Sequence, residues 1–327
     1  MTPERPATPE SEFVALAERH RGVLRLHCYR MTGSVEDAEE LVQETLLRAW
    51  RGRDGFEGRS TLRTWLLRIA TNAALSRLAR APRRVLPLDL AAPVTADTPA
   101  SEAREQPPWS PELPWLEPLP DRLLDQDPLP DEALVTRQSV GLAYLAALQR
   151  LSPRPRAVLV LREALELPAR EVAELLGLSI PAVNSALQRA RATLRRWGPP
   201  VAPPDERERE VVDHFVAAWE QGDSDALVRL MRKDARWSMP PAPLWFAGRD
   251  AIARLYERFP ISRLGTFRTV VTAANRQPAV ATYLTRPGEA ASALVSVHLL
   301  QIEAGEVAEV VTFAPTMCGR FGLPTAL

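Results

Sequence analysis

Side chains suited to reading nucleic-acid bases are concentrated between Leu167 and Trp197. Amide and guanidinium groups form paired hydrogen bonds with adenine and guanine edges in the major groove. The candidate base-reading and phosphate-contacting residues of this stretch are Ser179, Asn184, Ser185, Gln188, Arg189 and Arg191. No acidic residue lies between Leu175 and Pro204, so nothing there repels phosphate. These side chains are therefore suited to contact with duplex DNA.

Two short helices joined by a tight turn are the elements that position these side chains. Val172 and Leu175 recur at helical spacing, and Gly177 suits the left-handed conformation that ends a helix. Ser179 fits an N-cap and Pro181 fits the first turn of the second helix. The pattern predicts a helix-turn-helix, whose second helix enters the major groove. The alternative is an ordinary helical hairpin with a solvated basic face.

A helical stretch near the N-terminus has a different surface. A helix is predicted from Ser11 to Met31, Gly33 breaks it, and Ser34 caps a following helix that runs to about Trp50. The outward-facing side chains of that following helix are Asp37, Glu40, Gln43, Glu44 and Leu47. An acidic face repels phosphate, so these residues favour docking to a protein. A solvated charged face is the alternative.

A strongly basic stretch follows, since Arg59–Arg84 holds seven arginines and no acidic residue. Its predicted helix runs from Thr61 to Arg80. Candidates for nucleic-acid contact here are Phe56, Arg59, Trp65, Arg68, Asn72, Arg77 and Arg80. Basic residues interleaved with aromatic rings are typical of surfaces that bind exposed bases. Taken alone, Trp65 fits a core position better than a stacking platform.

These two N-terminal stretches resemble region 2 of the extracytoplasmic-function sigma factors of RNA polymerase. The resemblance is carried by Asp37–Trp50, by the Phe56 loop and by Thr64–Asn72. Leu151–Arg196 resembles region 4 of the same family, and the two regions cover about half of the chain. The partners that the resemblance implies are promoter DNA and core RNA polymerase, at its β′ clamp helices and β flap.

The resemblance also implies a role for each surface. Asp37–Trp50 would dock on the clamp helices, and Phe56–Arg80 would open the minus-ten element, with Asn72 lining the pocket of a flipped base. Ser179–Arg195 would read the minus-thirty-five element.

The second helix departs from the family pattern at two positions. Asn184 and Ala186 stand where many members carry a basic residue. Because Asn184 and Gln188 suit adenine edges, no promoter sequence is transferred from the family.

An acidic, proline-rich connector, residues 86–131, joins the region 2 segment (11–85) to the region 4 segment (132–197). Its prolines exclude a regular helix or sheet. Trp109, Trp115, Leu116 and Leu119 lie within it, and such side chains rarely stay exposed together. We therefore predict that this segment docks on another part of the chain or on polymerase. An exposed tether is the alternative.

A proline-rich hinge, residues 198–204, precedes a C-terminal domain at 205–327. Helices are predicted at 206–220, 223–231 and 250–259, a short strand at Trp237–Met239, and strands at 266–274, 279–285, 293–303 and 307–313. The order indicates an α+β domain and resembles the SnoaL-like cone shared with ketosteroid isomerases and polyketide cyclases. At the other end of the chain, residues 1–10 are predicted to be disordered.

Enzymes of that cone fold use a buried carboxylate as the base, and the predicted strands from Thr266 to Leu300 contain none. His214, Tyr283 and His298 lack a partner at recognisable spacing. Candidates for an apolar ligand pocket, which fit a core equally, are Trp219, Trp237, Met239, Trp245, Tyr256 and His298. We predict no catalysis, and regulation through either a protein contact or a small ligand.

Other classes of protein are disfavoured by composition. Cys28 and Cys318 give neither a disulfide framework nor zinc-ligand spacing, and the four histidines form no metal motif, so no cofactor is predicted. The absence of a signal-peptide pattern and of an apolar run of about 20 residues predicts a soluble cytoplasmic protein without membrane contact.

The leading hypothesis is a sigma factor with two all-α helical domains and a C-terminal α+β SnoaL-like cone that tunes its activity. The alternatives are a free-standing, ligand-responsive helix-turn-helix transcription regulator and an enzyme fused to a DNA-binding module.

Overall fold

The computed structural model describes residues 10–58, 60–99, 109–125, 140–195 and 206–327. The chain divides into two compact units. The helical unit comprises Met1–Arg84 and Leu123–Pro199, and the mixed unit comprises Val85–Arg122 and Pro200–Leu327. Both predicted DNA-contacting segments therefore belong to one unit. Most of the predicted connector belongs to the other unit, together with the C-terminal domain.

The helical unit begins with α1 (Glu10–Glu18), α2 (Arg21–Thr32), α3 (Val35–Arg51) and α4 (Leu62–Leu78). The single helix predicted from Ser11 to Met31 is in fact two, separated by a turn at Arg19 and His20, and α2 is buried from Val23 to Thr32. Ser34 caps α3 as predicted, since its Oγ accepts a hydrogen bond from the Asp37 backbone N–H at 3.1 Å.

The second half of this unit contains α6 (Leu142–Gln149), α7 (Pro153–Leu159), α8 (Ala169–Leu176) and α9 (Ile180–Leu194), and a short helix, α5 (Asp121–Leu124), lies where the units divide. α7 continues as a π-helical turn over Val160–Ala164. Gly177 has the expected left-handed φ of 63° after α8. The Ser179 Oγ accepts the Ala182 N–H at 3.3 Å, so α8 and α9 form the predicted helix-turn-helix.

Among its described residues, the mixed unit contains three further α-helices and one six-stranded sheet. Its elements are α10 (Glu206–Gln221), α11 (Ser224–Arg229), β1 (Met231–Ser238), β2 (Trp245–Ala247), α12 (Arg249–Arg258), β3 (Thr266–Ala274), β4 (Gln277–Thr285), β5 (Ala293–Glu303) and β6 (Glu306–Phe313). The strand order is β2-β1-β6-β5-β4-β3, and only the β1–β6 pair is parallel.

The first two strands differ from the sequence prediction. β1 is eight residues long and not a short strand at Trp237–Met239, because Met231, Ala235 and Trp237 are buried between charged neighbours. β2, with only three residues, gives no strand pattern. The turn between β5 and β6 is left-handed, with φ of 53° at Ala304 and 82° at Gly305. Asn275 and Arg276 form a similar left-handed turn before β4, which therefore begins at Gln277.

One face of the sheet packs on α10 and α12 and encloses an aromatic core. Phe215, Trp219, Trp237 and Tyr256 are buried there with Val310 of β6. No helix among those described is long and apolar enough to cross a membrane.

Candidate nucleic-acid interface

The predicted base-reading side chains share the exposed face of α9. The exposed residues are Ser179, Asn184, Ser185, Gln188, Arg189 and Arg191. The opposite face buries Val183, Ala186, Leu187 and Ala190 against the rest of the helical unit. The amphipathic pattern thus leaves the amide and guanidinium groups accessible to a duplex.

Arg191 has a partner that the sequence pattern missed. Its Nε lies 2.5 Å from Oε1 of Glu163, which precedes α8 by several residues. Both side chains are solvent-accessible, and such a surface ion pair contributes about 0–1 kcal/mol. DNA phosphate can therefore replace Glu163 at little cost, and Arg191 stays a predicted DNA contact.

On α4, Arg68 and Asn72 are exposed one helical turn apart, and Arg80 is exposed just after the helix. Thr61 caps the helix, accepting the Thr64 N–H at 3.1 Å. Arg59 lies outside the described residues. The side chain of Asn72 thus stands on the open surface of α4, beside a cation that can bind the backbone of a captured strand.

Phe56, in the loop before α4, packs against Trp65 in the first turn of that helix. The rings of Phe56 and Trp65 have centroids 5.1 Å apart, and Phe13 of α1 lies 6.4 Å from Trp65. Both Phe56 and Trp65 are half-buried. They therefore anchor the loop on α4 and keep part of each ring accessible, so their role in base contact stays a prediction.

Arg77 is engaged by the acidic helix and does not stand with the other cations. Its guanidinium forms ion pairs with Asp37 and Glu40 of α3. The Arg84 Nη2 also binds the Asp37 Oδ2 at 2.7 Å. The positive charge of Arg77, a predicted DNA contact, is thus offset by Asp37 and Glu40, two predicted polymerase contacts. Sequence spacing does not reveal this pairing, because 40 residues separate Asp37 from Arg77.

The rest of the predicted docking face remains open on α3. Gln43, Glu44 and Leu47 are exposed, and Glu44 pairs with Arg48 one turn later, at 2.6 Å. Leu47 is 48% exposed and is the apolar member of this face. The contact of Gln43, Glu44 and Leu47 with a protein partner stays a prediction.

In the mixed unit, four of the predicted pocket residues come together. Ring centroids are 4.8 Å apart for Trp219 and His298, and 5.5 Å apart for Trp237 and Tyr256. The His298 Nδ1 lies 2.9 Å from the Thr312 hydroxyl. Burial lowers the pKa of His298 to about 3, so the imidazole is neutral at physiological pH.

Other candidates of this unit lie elsewhere. Met239 packs at the margin of the core, and the Trp245 Nε1 donates to the Ala91 carbonyl at 2.9 Å. His214 is exposed on α10. The Tyr283 hydroxyl donates to the Pro324 carbonyl at 2.9 Å.

A buried carboxylate is nevertheless present on β6. The Glu309 Oε2 forms an ion pair with the Arg236 Nη2, 3.2 Å away. These two residues pair across β1 and β6 directly beside Trp237 and Val310, so they point away from the aromatic core. Within the described ranges, no three His, Cys, Asp or Glu side chains are grouped as metal ligands would be.

The buried imidazole of His298 should make stability depend on pH. Its folded pKa of about 3 lies below its ordinary value of 6.5, so only the unfolded state binds this proton between those values. Stability is therefore expected to fall by about 1.4 kcal/mol per pH unit as the pH drops from 6.5 towards 3. Urea unfolding at pH 7.5, 6 and 5 should show a shallower dependence for His298→Gln. Equal slopes would contradict the role of His298.

The predicted connector contacts the C-terminal domain at several places, one of them at strand β2 and another at the turn between β3 and β4. At the first, the Val94 N–H donates to the Trp245 carbonyl, and the Ala247 N–H donates to the Val94 carbonyl, both at 2.9 Å. Val94 thereby pairs with Phe246 in parallel and extends the sheet beyond β2. The edge of the sheet is covered at this point by the connector.

At the second place, the connector crosses the turn between β3 and β4. The Leu119 N–H donates to the Asn275 Oδ1 at 2.9 Å, and the Asn275 N–H donates to the Leu119 carbonyl at 2.8 Å. Trp115, Leu116 and Leu119 are buried, as the docking hypothesis requires. Trp109 is the exception, since it is 65% exposed.

Comparisons with known proteins match three parts of the chain to family models. Residues 16–84 match the model of Sigma-70 region 2, residues 141–194 match that of Sigma-70, region 4, and residues 212–310 match that of the SnoaL-like domain. The ECF RNA polymerase sigma factor SigG of Mycobacterium tuberculosis is 45% identical over 324 residues, which cover 97% of this chain and 85% of SigG.

A second sigma factor of that organism is similar in sequence and fold. SigJ is 31% identical over 251 residues, which cover 75% of this chain and 70% of SigJ. The crystal structure of SigJ aligns with a TM-score of 0.60 and 24% identity, covering 96% of this chain and 99% of the SigJ chain. The two chains therefore share the same fold.

Proposed function

The chain belongs to the extracytoplasmic-function RNA polymerase sigma factors, and from this premise we propose how its surfaces divide the work of initiation. A sigma factor directs core polymerase to promoters and starts transcription there. The observation that carries this function is the 45% identity to a sigma factor along 97% of the chain.

The polymerase contact is assigned to the outer face of α3. Gln43, Glu44 and Leu47 would contact the β′ clamp helices, and Leu47 would supply the apolar anchor. Asp37 and Glu40 would act through their ion pairs with Arg77, which fix α3 against α4. The region 4 helices would contact the β flap.

Promoter contact is divided between α4 and α9. Arg68, Asn72 and Arg80, with Phe56 and Trp65 at the loop, would hold the melted minus-ten strand, because exposed cations next to aromatic rings bind single strands. The face of α9 would lie in the major groove of the minus-thirty-five element.

Gel filtration with purified core RNA polymerase tests the main function. We expect the intact chain to co-elute with core polymerase in equimolar amount. A chain that elutes alone, yet binds duplex DNA without polymerase, would favour the free-standing regulator.

We further infer that the mixed unit tunes activity through the connector. The connector contacts at Val94 and Leu119 lie between Arg84, where region 2 ends, and the start of region 4. Holding this segment removes conformational freedom from the tether that joins the two promoter-reading regions. Such preorganisation is expected to favour simultaneous binding of both promoter elements.

Asn275→Gly should weaken this contact, because it keeps the backbone bond to the Leu119 carbonyl but removes the side-chain bond. Glycine tolerates the φ of 56° at this position but removes the oxygen that accepts the Leu119 N–H. Because a buried donor left unpaired costs about 1–3 kcal/mol, we expect several-fold less transcription in vitro, with unchanged core affinity.

The matched control for Asn275→Gly is Ala304→Gly, which alters a similar left-handed turn at an exposed site. Equal transcription by wild type and Asn275→Gly at promoters with both elements would refute tuning through the connector.

Catalysis is not proposed for the mixed unit, since His298 is neutral and bonds to hydroxyl groups. Ligand binding is a second candidate role for the core. It is supported by the Trp219 Nε1, which is buried without a hydrogen-bond acceptor among the described residues.

A further inference from the structure

Ile180 is an exposed apolar residue at the start of the recognition helix. It is 45% exposed, whereas Val183 and Leu187 of the same helix are buried. Ser179 and Pro181 fix the backbone on either side of it, as N-cap and first-turn proline. Nothing in the cap or in the packing of α9 requires a large β-branched side chain in water here.

The position of Ile180 places it beside the predicted base-reading amides. Asn184 lies one turn later on the same side of α9, and Gln188 follows one turn after Asn184. All three side chains are exposed. In helix-turn-helix proteins, the N-terminal residues of this helix are those that contact base edges.

The chemistry of this stripe suits adenine and thymine. Thymine is the base that presents a methyl group in the major groove, where apolar side chains contact it, and asparagine pairs with N6 and N7 of adenine. The first turn of α9 carries no arginine or lysine that would select guanine. Arg189 and Arg195 are exposed farther along the helix, where they can bind phosphate.

Resting on the proposed sigma-factor function, we propose that Ile180 is a specificity-determining residue that contacts a thymine methyl group in the minus-thirty-five element. Asn184 reads an adenine at a neighbouring base pair. The upstream element of this chain is therefore expected to contain adjacent A·T pairs at the contacts of the first two turns of α9.

Selection from a promoter library identifies the bases concerned. Holoenzyme made from core polymerase and the intact chain would transcribe templates with a randomised minus-thirty-five region and a constant minus-ten region. We expect wild type to enrich thymine at one position and adenine close to it. Ile180→Ala should lose the thymine preference alone, and Asn184→Ala should lose the adenine preference alone.

Replacing the selected thymine by deoxyuridine isolates the methyl group, because no hydrogen bond changes. For wild type we expect about fourfold weaker binding to the selected promoter, the value of one buried methyl-sized group. For Ile180→Ala we expect equal affinity for the promoters with thymine and with deoxyuridine. Ile180→Val keeps branched methyl groups, so replacing thymine by deoxyuridine should weaken its promoter binding nearly as much as that of wild type.

Three results would overturn the proposal in distinguishable ways. Equal sensitivity to deoxyuridine in wild type and Ile180→Ala would remove Ile180 from base reading but keep the sigma-factor function. Weaker affinity of Ile180→Ala for core polymerase, with unchanged base preference, would assign the residue to a polymerase contact instead. Absence of any transcript with wild type would refute the sigma-factor function itself.

Discussion

Asn72→Ala is expected to slow open-complex formation about tenfold or more without changing the affinity for core polymerase. The exposed amide stands on α4 one turn after Arg68, where it can bind the edge of an extruded base. Strand separation costs a few kcal/mol, which contacts with captured bases must offset. A bidentate contact with a base edge is worth about 1–3 kcal/mol, so loss of the amide is expected to affect melting strongly.

Permanganate reactivity of unpaired thymines measures this melting directly. Ser76→Ala is the matched control, because Ser76 is exposed one turn beyond Asn72 on the same helix. We expect Ser76→Ala to melt promoters as wild type does. If Asn72→Ala lost core binding and melting to the same extent, the residue would have no specific role in base capture.

Leu47→Glu is expected to weaken binding to core polymerase about thirtyfold. Leu47 is the large apolar side chain exposed on the outer face of α3, and loss of a buried interface contact of this size costs about 2 kcal/mol. Because the side chain is half in water, the substitution should leave the helical unit folded. Fluorescence titration with labelled core polymerase measures the change.

Val14→Glu provides the matched control for Leu47. It places the same acid at an apolar residue of similar exposure, 46%, on α1. Equal loss of affinity in both variants would show a general charge effect and not a docking anchor. Reversal of Asp37 is a poorer probe, because it would also break the ion pairs with Arg77 and Arg84.

The helix-turn-helix was predictable because its signals are local. Gly177 supplies the left-handed turn and Ser179 the cap, and both act within a few residues of their own position. The alternation of apolar residues likewise predicted β3 and β5 at their observed bounds. Where a feature such as a turn or a helix cap depends on residues close together in the sequence, residue type and spacing are enough to predict it.

The features that sequence reasoning missed depend on distant partners. The ion pair between Asp37 and Arg77 follows from the packing of α3 on α4, which no spacing reveals. The apolar residues of the connector indicated that it docks, but its place is set by hydrogen bonds between Leu119 and Asn275, 156 residues apart. A strand of three residues, β2, is too short for a period-2 pattern.

Transcription in vitro by purified core RNA polymerase, with and without the intact chain, on fragments of the host genome is the most direct measurement. We predict discrete transcripts that start only when the chain is present and that Asn72→Ala suppresses. A chain that leaves the transcripts of core polymerase unchanged, while it binds duplex DNA alone, would contradict promoter recognition within a holoenzyme.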